Sequence, residues 1–274
     1  MMDDAVPAPI GIFDSGVGGL SVLRAIRDQL PCHPIIYVGD QAHVPYGLHT
    51  KGEVRAFSEG ITRFLLDHGA KLIVVACNTA SAAALHDLRA TFPTVPFVGM
   101  EPAVKPAAAI THSGVIGVLA TPVTFQSDLY ASVVERFGQE VTILQDACPG
   151  LVNQIESGYL ESPETRQILE KALHPMLAQG ADTVVMGCTH YPFVIPLIQE
   201  IVGPGVQVID PAPAVARQAG RLLESLGLNA HHETTGNKTF FTTGNPRHFE
   251  MMLPTLLHES HVVQFIAWKS GLLG

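Results

Sequence analysis

Short apolar runs rich in β-branched residues alternate along this chain with longer stretches whose apolar residues recur at three- and four-residue spacing. The first pattern reads as buried strands and the second as amphipathic helices. Strands are predicted over 10–13, 34–40, 71–76, 96–98, 115–119, 141–144, 183–187, 206–211, 238–242 and 262–266. Between them, Leu20, Leu23, Ile26 and Leu30 mark one helix, and Val54, Phe57, Ile61, Phe64 and Leu65 another. An alanine-rich helix runs to Ala90, and one beyond Thr124 carries Phe125, Leu129 and Val133. A short helical stretch opened by Cys148-Pro149-Gly150 holds Glu156. Further helices are read over 165–179, with a kink at Pro175 and an end at Gly180, and over 214–226 and 249–257. Strands alternating with helices imply mostly parallel sheets. The prolines between Glu101 and Pro106 read as a linker, after which the alternation restarts near Val115.

Two strand runs stop at a cysteine. Lys71 to Ala76 leads into Cys77-Asn78-Thr79-Ala80-Ser81, and Thr183 to Gly187 into Cys188-Thr189-His190-Tyr191-Pro192. Each cysteine would sit between a strand's carboxyl end and a helix's amino end, where open α/β sheets gather their ligands. Helix N–H groups there stabilise a thiolate, so a lowered thiol pKa is expected. The twinned setting suggests two similar halves, a weak internal repeat. One strand-end cysteine is commonly a small buried hydrophobe; a matched pair points to function.

Other strand ends carry weaker signals. Asp14-Ser15-Gly16-Val17-Gly18-Gly19 suggests a phosphate cradle. Yet Ser21 stands where a dinucleotide fingerprint needs its third glycine, and no P-loop Gly-Lys-Ser/Thr follows. Two readings stay open: a tight turn, or Asp14 and Ser15 projecting into a site. Pro45-Tyr46-Gly47 most often means only a turn. It too leaves a strand's carboxyl end.

Composition narrows the class. The 274 residues are 47% hydrophobic, enough for one large or two medium α/β domains with a substantial core. A formal charge of -9 argues against a general grip on nucleic acid, which needs a basic face. Four cysteines are too few for a disulfide scaffold at this length. The acidic start Met1-Met2-Asp3-Asp4 is unlike a signal peptide. No uninterrupted apolar run approaches the ~20 residues of a membrane helix. A soluble, reduced, cytoplasmic protein is expected.

Two thiols facing each other across a small ligand suit inversion at carbon. One removes a proton and the other returns one on the opposite face. Enantiomers have equal free energy in water, so chemically alike groups on both sides fit the task. A thiol near pKa ~8.5 cannot alone deprotonate an amino acid's Cα. Fixed donors must stabilise the carbanion-like charge, each worth about 3–4 kcal/mol in favourable cases. Asn78, Thr79, Thr121, Thr124 and Thr189 fall near strand ends and can supply them. Pyridoxal phosphate would need a Schiff-base lysine. Lysines are sparse and none sits in such a setting, so no cofactor is expected. A zinc site from Cys77, Cys188 and His190 lacks any C-x₂-C support, and no metal is expected. Cys32 reads as core packing, Cys148 as packed under its helix, and His231 and His232 as solvated.

At these residues the chain resembles the glutamate racemases of the aspartate/glutamate racemase superfamily. The likeness lies in Asp14 to Gly19, Pro45-Tyr46-Gly47, Cys77-Asn78-Thr79-Ala80, Leu119-Ala120-Thr121 with Thr124, Gly187 to Pro192, and Ile209-Asp210-Pro211. A looser match surrounds Thr242-Thr243-Gly244. The resemblance implies two similar α/β domains, 1–100 with 212–274 and 101–211, and glutamate in the cleft between them. It implies interconversion of L- and D-glutamate for cell-wall peptidoglycan, and a homodimer. Cys77 would act on the D-enantiomer and Cys188 on the L-enantiomer. Asp14, His190 and Glu156 would assist. Asp14, Ser15, Tyr46, Gly47, Asn78, Thr79, Thr121, Thr124, Thr189 and His190 would line the pocket. The chain departs from the family at Asn153-Gln154, where a Pro-Leu pair is usual. Its short lead-in implies no N-terminal extension of the kind some members use for activation by a cell-wall precursor. Racemisation of aspartate and a non-enzymatic glutamate-binding role are the rival readings.

Overall fold

A computed structural model describes residues 8–228, 235–269 and 271–274. In chain order the first unit runs β1 (Ile10–Asp14), α1 (Leu20–Gln29), β2 (Ile35–Gly39), α2 (Lys51–Asp67), β3 (Leu72–Val75), α3 (Asn78–Thr91) and β4 (Phe97–Gly99). The second runs α4 (Val104–Ile110), β5 (Val115–Ala120), α5 (Pro122–Phe125), α6 (Asp128–Phe137), β6 (Thr142–Asp146), α7 (Leu151–Glu156), α8 (Pro163–Ala178), β7 (Thr183–Gly187), α9 (Ile195–Val202) and β8 (Gln207–Ile209). The chain then returns through α10 (Ala212–Ser225), β9 (Lys238–Thr242), α11 (Pro246–Leu257), β10 (Val263–Phe265), β11 (Trp268–Lys269) and β12 (Leu272–Leu273).

Two parallel sheets result. One has the order β10-β9-β2-β1-β3-β4 and the other β6-β5-β7-β8. The second sheet repeats the 2-1-3-4 order of β2-β1-β3-β4, so the internal repeat is real. β1 corresponds to β5 and β3 to β7. In each half the chain goes to one side of the first strand and then to the other. That reversal opens a crevice at the strands' carboxyl ends. Cys77 and Cys188 follow the equivalent strands β3 and β7 and stand beside these two crevices.

Side-chain alternation explains how the sheets join. Ile10, Ile12, Leu72 and Val74 from one sheet and Leu119, Val184 and Met186 from the other belong to a single buried cluster. Their alternates, Phe13, Ile73 and Val75, pack toward α2 and α3 in a separate cluster. Ile116, Val118 and Val185 pack toward α4 and α6 in another. A strand's period of two thus gives each sheet one private face and one shared face. Both faces are covered, as parallel sheets require.

Several expectations need correcting. The linker is shorter than 101–106, because α4 starts at Val104. Pro106 sits in its first turn, where a missing N–H costs nothing. The helix predicted beyond Thr124 breaks in two. Thr121 and Ser127 each accept from a backbone N–H three residues on and cap separate helices. Helix α8 begins at Pro163 behind an N-cap Ser162, and it runs through Pro175 to Ala178. Cys32 is half-buried rather than in the core. The antiparallel pair β11–β12 was not anticipated. His231 and His232 lie outside the described residues.

Candidate active site

The carboxyl ends of the two sheets meet over one pocket. It is lined from the first unit by Ser15, Pro45, Tyr46, Gly47, Cys77, Asn78 and Thr79, and from the second by Thr121, Val152, Cys188, Thr189 and His190. Pro45 and Val152 were not anticipated. Val152 carries no chemical signal, and only the packing of α7 beside the pocket exposes it there. Asp14 and Thr124 are absent from the lining. Both are buried one layer behind it. Thr124 Oγ1 lies 3.0 Å from Thr121 Oγ1, which itself lies 3.1 Å from Thr79 Oγ1 across the two units. The cavity measures about 20 Å³, room for roughly one water molecule.

Each cysteine has its own electrostatic setting. Cys77 is the N-cap of α3 with an extended backbone, so the first N–H groups of the helix lie beside it. Burial and the neighbouring Asp14 nevertheless push its thiol well above the ordinary value, against an opposing contact from the Ala80 N–H. The expected lowering of the thiol pKa therefore fails at Cys77: desolvation and a carboxyl group outweigh the helix end. Burial also raises the carboxyl of Asp14, against His190, Cys77 and the Gly19 N–H. Gly19 N donates to Asp14 Oδ2 at 2.7 Å.

Cys188 meets a histidine instead. Its Sγ lies 3.8 Å from His190 Nδ1, and His190 Nε2 lies 2.6 Å from Glu156 Oε1. Burial opposes the charged imidazole, but contacts with Cys188 and Glu156 prevail and hold its pKa well above the usual histidine range. Burial likewise opposes Glu156's charge. The His190 bond and charge, the Val17 N–H and the Gln41 amide outweigh it and keep the carboxyl below its ordinary value. The pair is thus an imidazolium and a carboxylate.

The glycine turn after β1 is what holds this pair. Val17 N donates to Glu156 Oε1 at 2.7 Å, and Ser21 Oγ donates to the Thr189 carbonyl at 2.8 Å. A Cβ on Gly16 would meet Glu156 Oε1 at 1.9 Å, and one on Gly18 would meet His190 Nδ1 at 2.3 Å. The turn therefore cradles a carboxylate and an imidazole from the other unit. None of Gly16, Gly18 and Gly19 uses the left-handed backbone region, so space rather than backbone freedom requires them, and of Asp14 and Ser15 only Ser15 lines the pocket.

The loop after β2 is fixed by Asp40. This fully buried carboxylate accepts from Tyr46 Oη (2.7 Å), Thr243 Oγ1 (2.7 Å) and Trp268 Nε1 (2.8 Å), with His43 Nδ1 at 2.9 Å. Tyr46 and Gly47 are thereby pinned against the pocket by the returning C-terminal segment. Cys148 is buried, as expected, and Asp146 accepts from its backbone N–H.

Twin parallel sheets, with acid–base side chains of both converging on one small pocket, have the architecture of an α/β isomerase of the racemase class. Residues 18–219 match the Asp/Glu/Hydantoin racemase family. The glutamate racemase of Roseiflexus sp. (strain RS-1) is 49% identical over 256 residues, 93% of this chain and 94% of that protein. The crystal structure of Escherichia coli glutamate racemase in complex with L-glutamate and the activator UDP-MurNAc-ala superposes with a TM-score of 0.84 at 31% identity, covering 95% of this chain and 98% of that one. The Francisella tularensis glutamate racemase in complex with D-glutamate gives 0.82 at 27% identity, over 95% and 98%. This chain belongs to the Asp/Glu/hydantoin racemases, and within them to the group of glutamate racemases. Among the described residues, no helix is long and apolar enough to cross a membrane.

Proposed function

We propose that this protein interconverts L- and D-glutamate in the cytoplasm by two-thiol proton transfer at Cα, without a cofactor, supplying D-glutamate for peptidoglycan. The observation that carries the reading is the shared pocket: Cys77 and Cys188 line it from equivalent strands of two different sheets. In this reading 1–100 with 212–274 form one unit and 101–211 the other, so each thiol rides on its own unit.

Starting from L-glutamate, Cys188 as its thiolate takes the α-proton, and Cys77 as its thiol returns one to the opposite face. Cys77 holds its proton firmly beside Asp14, while His190 presents a charged N–H to Cys188. The reverse reaction uses the same groups in the opposite states. Asp14 assists Cys77, and the Glu156–His190 pair assists Cys188. Negative charge developing on the substrate is met by the N–H groups at the start of α3 and by Thr121 and Thr189. Asn78 supports substrate binding. It is buried, and neither amide atom has a hydrogen-bond partner among the described residues. Such a group costs stability unless a ligand satisfies it. Ser15, Tyr46, Gly47 and Thr79 complete the walls. A cavity of about 20 Å³ is far smaller than glutamate, so the pocket must widen to admit it.

The test is incubation of the purified protein with L-glutamate, and separately L-aspartate, in D₂O without added cofactor. Deuterated D-glutamate should form, and Cys77→Ser and Cys188→Ser should each abolish it. Faster exchange on aspartate would overturn the substrate assignment. Absence of turnover with both amino acids would leave a binding role instead.

A further inference from the structure

Among the described residues, the Glu156 carboxylate has three donors. Two come from Val17 and His190; the third comes from a residue with no part in the mechanism above. Gln41 Nε2 donates to Glu156 Oε2 at 3.2 Å, and its Oε1 accepts from Thr242 Oγ1 at 2.9 Å. Thr242 is the last residue of β9 and is fully buried. Its hydroxyl also accepts the Gly244 N–H at 3.0 Å, which leaves its own proton for Gln41. The amide is therefore fixed in orientation, because turning it over would set its oxygen against a carboxylate. The 242–244 turn also crowds the side chain: a Cβ on Gly244 would stand 2.6 Å from Gln41 Cβ.

We propose that Gln41 is a positioning residue for the Cys188 half of the reaction. It anchors the outer oxygen of Glu156, so that the inner oxygen keeps both Val17 and His190 in line, and it passes that hold from the C-terminal segment through Thr242. The inference rests on the two-thiol reading. Glu156 Oε1 alone serves Val17 N and His190 Nε2. Freed at Oε2, the carboxylate turns about its side-chain bond, loses that alignment and leaves a buried oxygen without a donor. His190 faces Glu156, Cys188 and Asp14. Glu156 faces His190, Asp14 and Tyr37, with the His248 ring on its backbone carbonyl at 2.8 Å. Gln41 is neutral, so replacing it leaves all these charges in place.

The experiment uses the full chain with Gln41→Met, which keeps side-chain length and removes both polar atoms. The equilibrium constant of racemisation is one, so kcat/KM must fall equally in both directions. A fall in kcat of about tenfold is expected, with KM for glutamate held within about twofold, matching the loss of one hydrogen bond to a charged group. The alkaline limb of kcat/KM should move to lower pH by about one unit, because His190 gives up its proton more easily once Glu156 slackens. Thr242→Val should shift the limb in the same direction, and Thr242→Ser should restore it. A folded Gln41→Met protein with an unmoved limb overturns the proposal. So does Thr242→Ser behaving as Thr242→Val, and that pair decides alone if Gln41→Met does not fold. Cys188→Ser separates the two levels. If it abolishes turnover while the Gln41→Met limb stays put, only the positioning role fails; if turnover survives, the two-thiol reading fails with it.

Discussion

Replacing Gly18 by alanine would act on the proposed catalytic machinery through space alone. Gly18 does not use the left-handed backbone region, so the main chain accepts alanine without strain. The new methyl, however, would stand 2.3 Å from His190 Nδ1, 2.6 Å from its Cε1 and 2.7 Å from Asp14 Oδ2. Ordinary contact begins near 3.4 Å, so the imidazole must retreat by about 1 Å. Nδ1 is the atom that faces Cys188, and Nε2 is held 2.6 Å from Glu156 on the other side. The ring cannot back away without breaking one of these contacts. A displacement of about 1 Å in a side chain that positions a reacting thiol costs on the order of a hundredfold. Overpacking costs stability too, about 1–3 kcal/mol, which lowers Tm by roughly 2–4 °C for each kcal/mol. Initial rates of racemisation, followed by polarimetry in both directions, and a thermal melt measure the two effects. Gly52→Ala is the control. It lies in the exposed first turn of α2 with nothing within 4 Å, and its effect should run from neutral to about 1 kcal/mol stabilising. A folded Gly18→Ala protein with kcat/KM within threefold of the parent would refute the cradle assigned to this turn.

Three further outcomes are expected. Cys77→Ser and Cys188→Ser should each lower kcat by at least about a thousandfold, since a hydroxyl is a far weaker acid than a thiol; a variant retaining a tenth of the rate would contradict its assignment. Glu156→Gln should lower Tm in a pH-dependent way. Glu156 is held low, so its contribution is present above its ordinary pKa and is lost as pH falls through the folded value; His190 is held high, so its contribution is present below its ordinary pKa and is lost as pH rises through the folded value. The Tm gap between parent and variant should therefore be widest between about pH 4.5 and 6.5 and narrow on both sides, and a flat gap contradicts the ion pair. Asp182 accepts from Thr111 Oγ1, the His112 and Ser113 N–H groups and Thr183 Oγ1, which hold its carboxyl well below the usual range. Asp182→Ala should destabilise by up to about 1 kcal/mol at neutral pH, because solvent screening at this surface site trims the worth of the carboxylate's hydrogen bonds, and the loss should shrink under acid as the parent's carboxylate is protonated.

The sequence disclosed the strand-end chemistry because parallel sheets concentrate it. An apolar run that stops at Cys77 or Cys188 can be read without knowing what lies opposite. The twin strand order was foreshadowed by the repeated grammar around those two cysteines. Features that depend on a distant partner were out of reach. Nothing near Gly18 announces an imidazole from residue 190. Nothing near Gln41 announces Glu156 on one side and Thr242 on the other. Trp268 reaches Asp40 from a strand pair too short to show a periodicity. The error at Cys77 has the same origin. A helix end is visible locally, whereas desolvation and Asp14 exist only once β1 and β3 lie side by side. Helix α4 is missing from the sequence reading for a local reason: Pro106, taken as part of a linker, occupies a first turn that tolerates proline.

The account stands on two separate groups handling the two faces of one carbon, and early-time labelling addresses that most directly. L-Glutamate is turned over in D₂O, and both enantiomers are sampled while only a few per cent has reacted. With one thiol on each face, every molecule of new D-glutamate carries solvent deuterium at Cα while the remaining L-glutamate stays unlabelled. If protium from the substrate appears in the product, or deuterium enters the unreacted L-pool at the same rate, a single group is serving both faces and the two-thiol account is wrong.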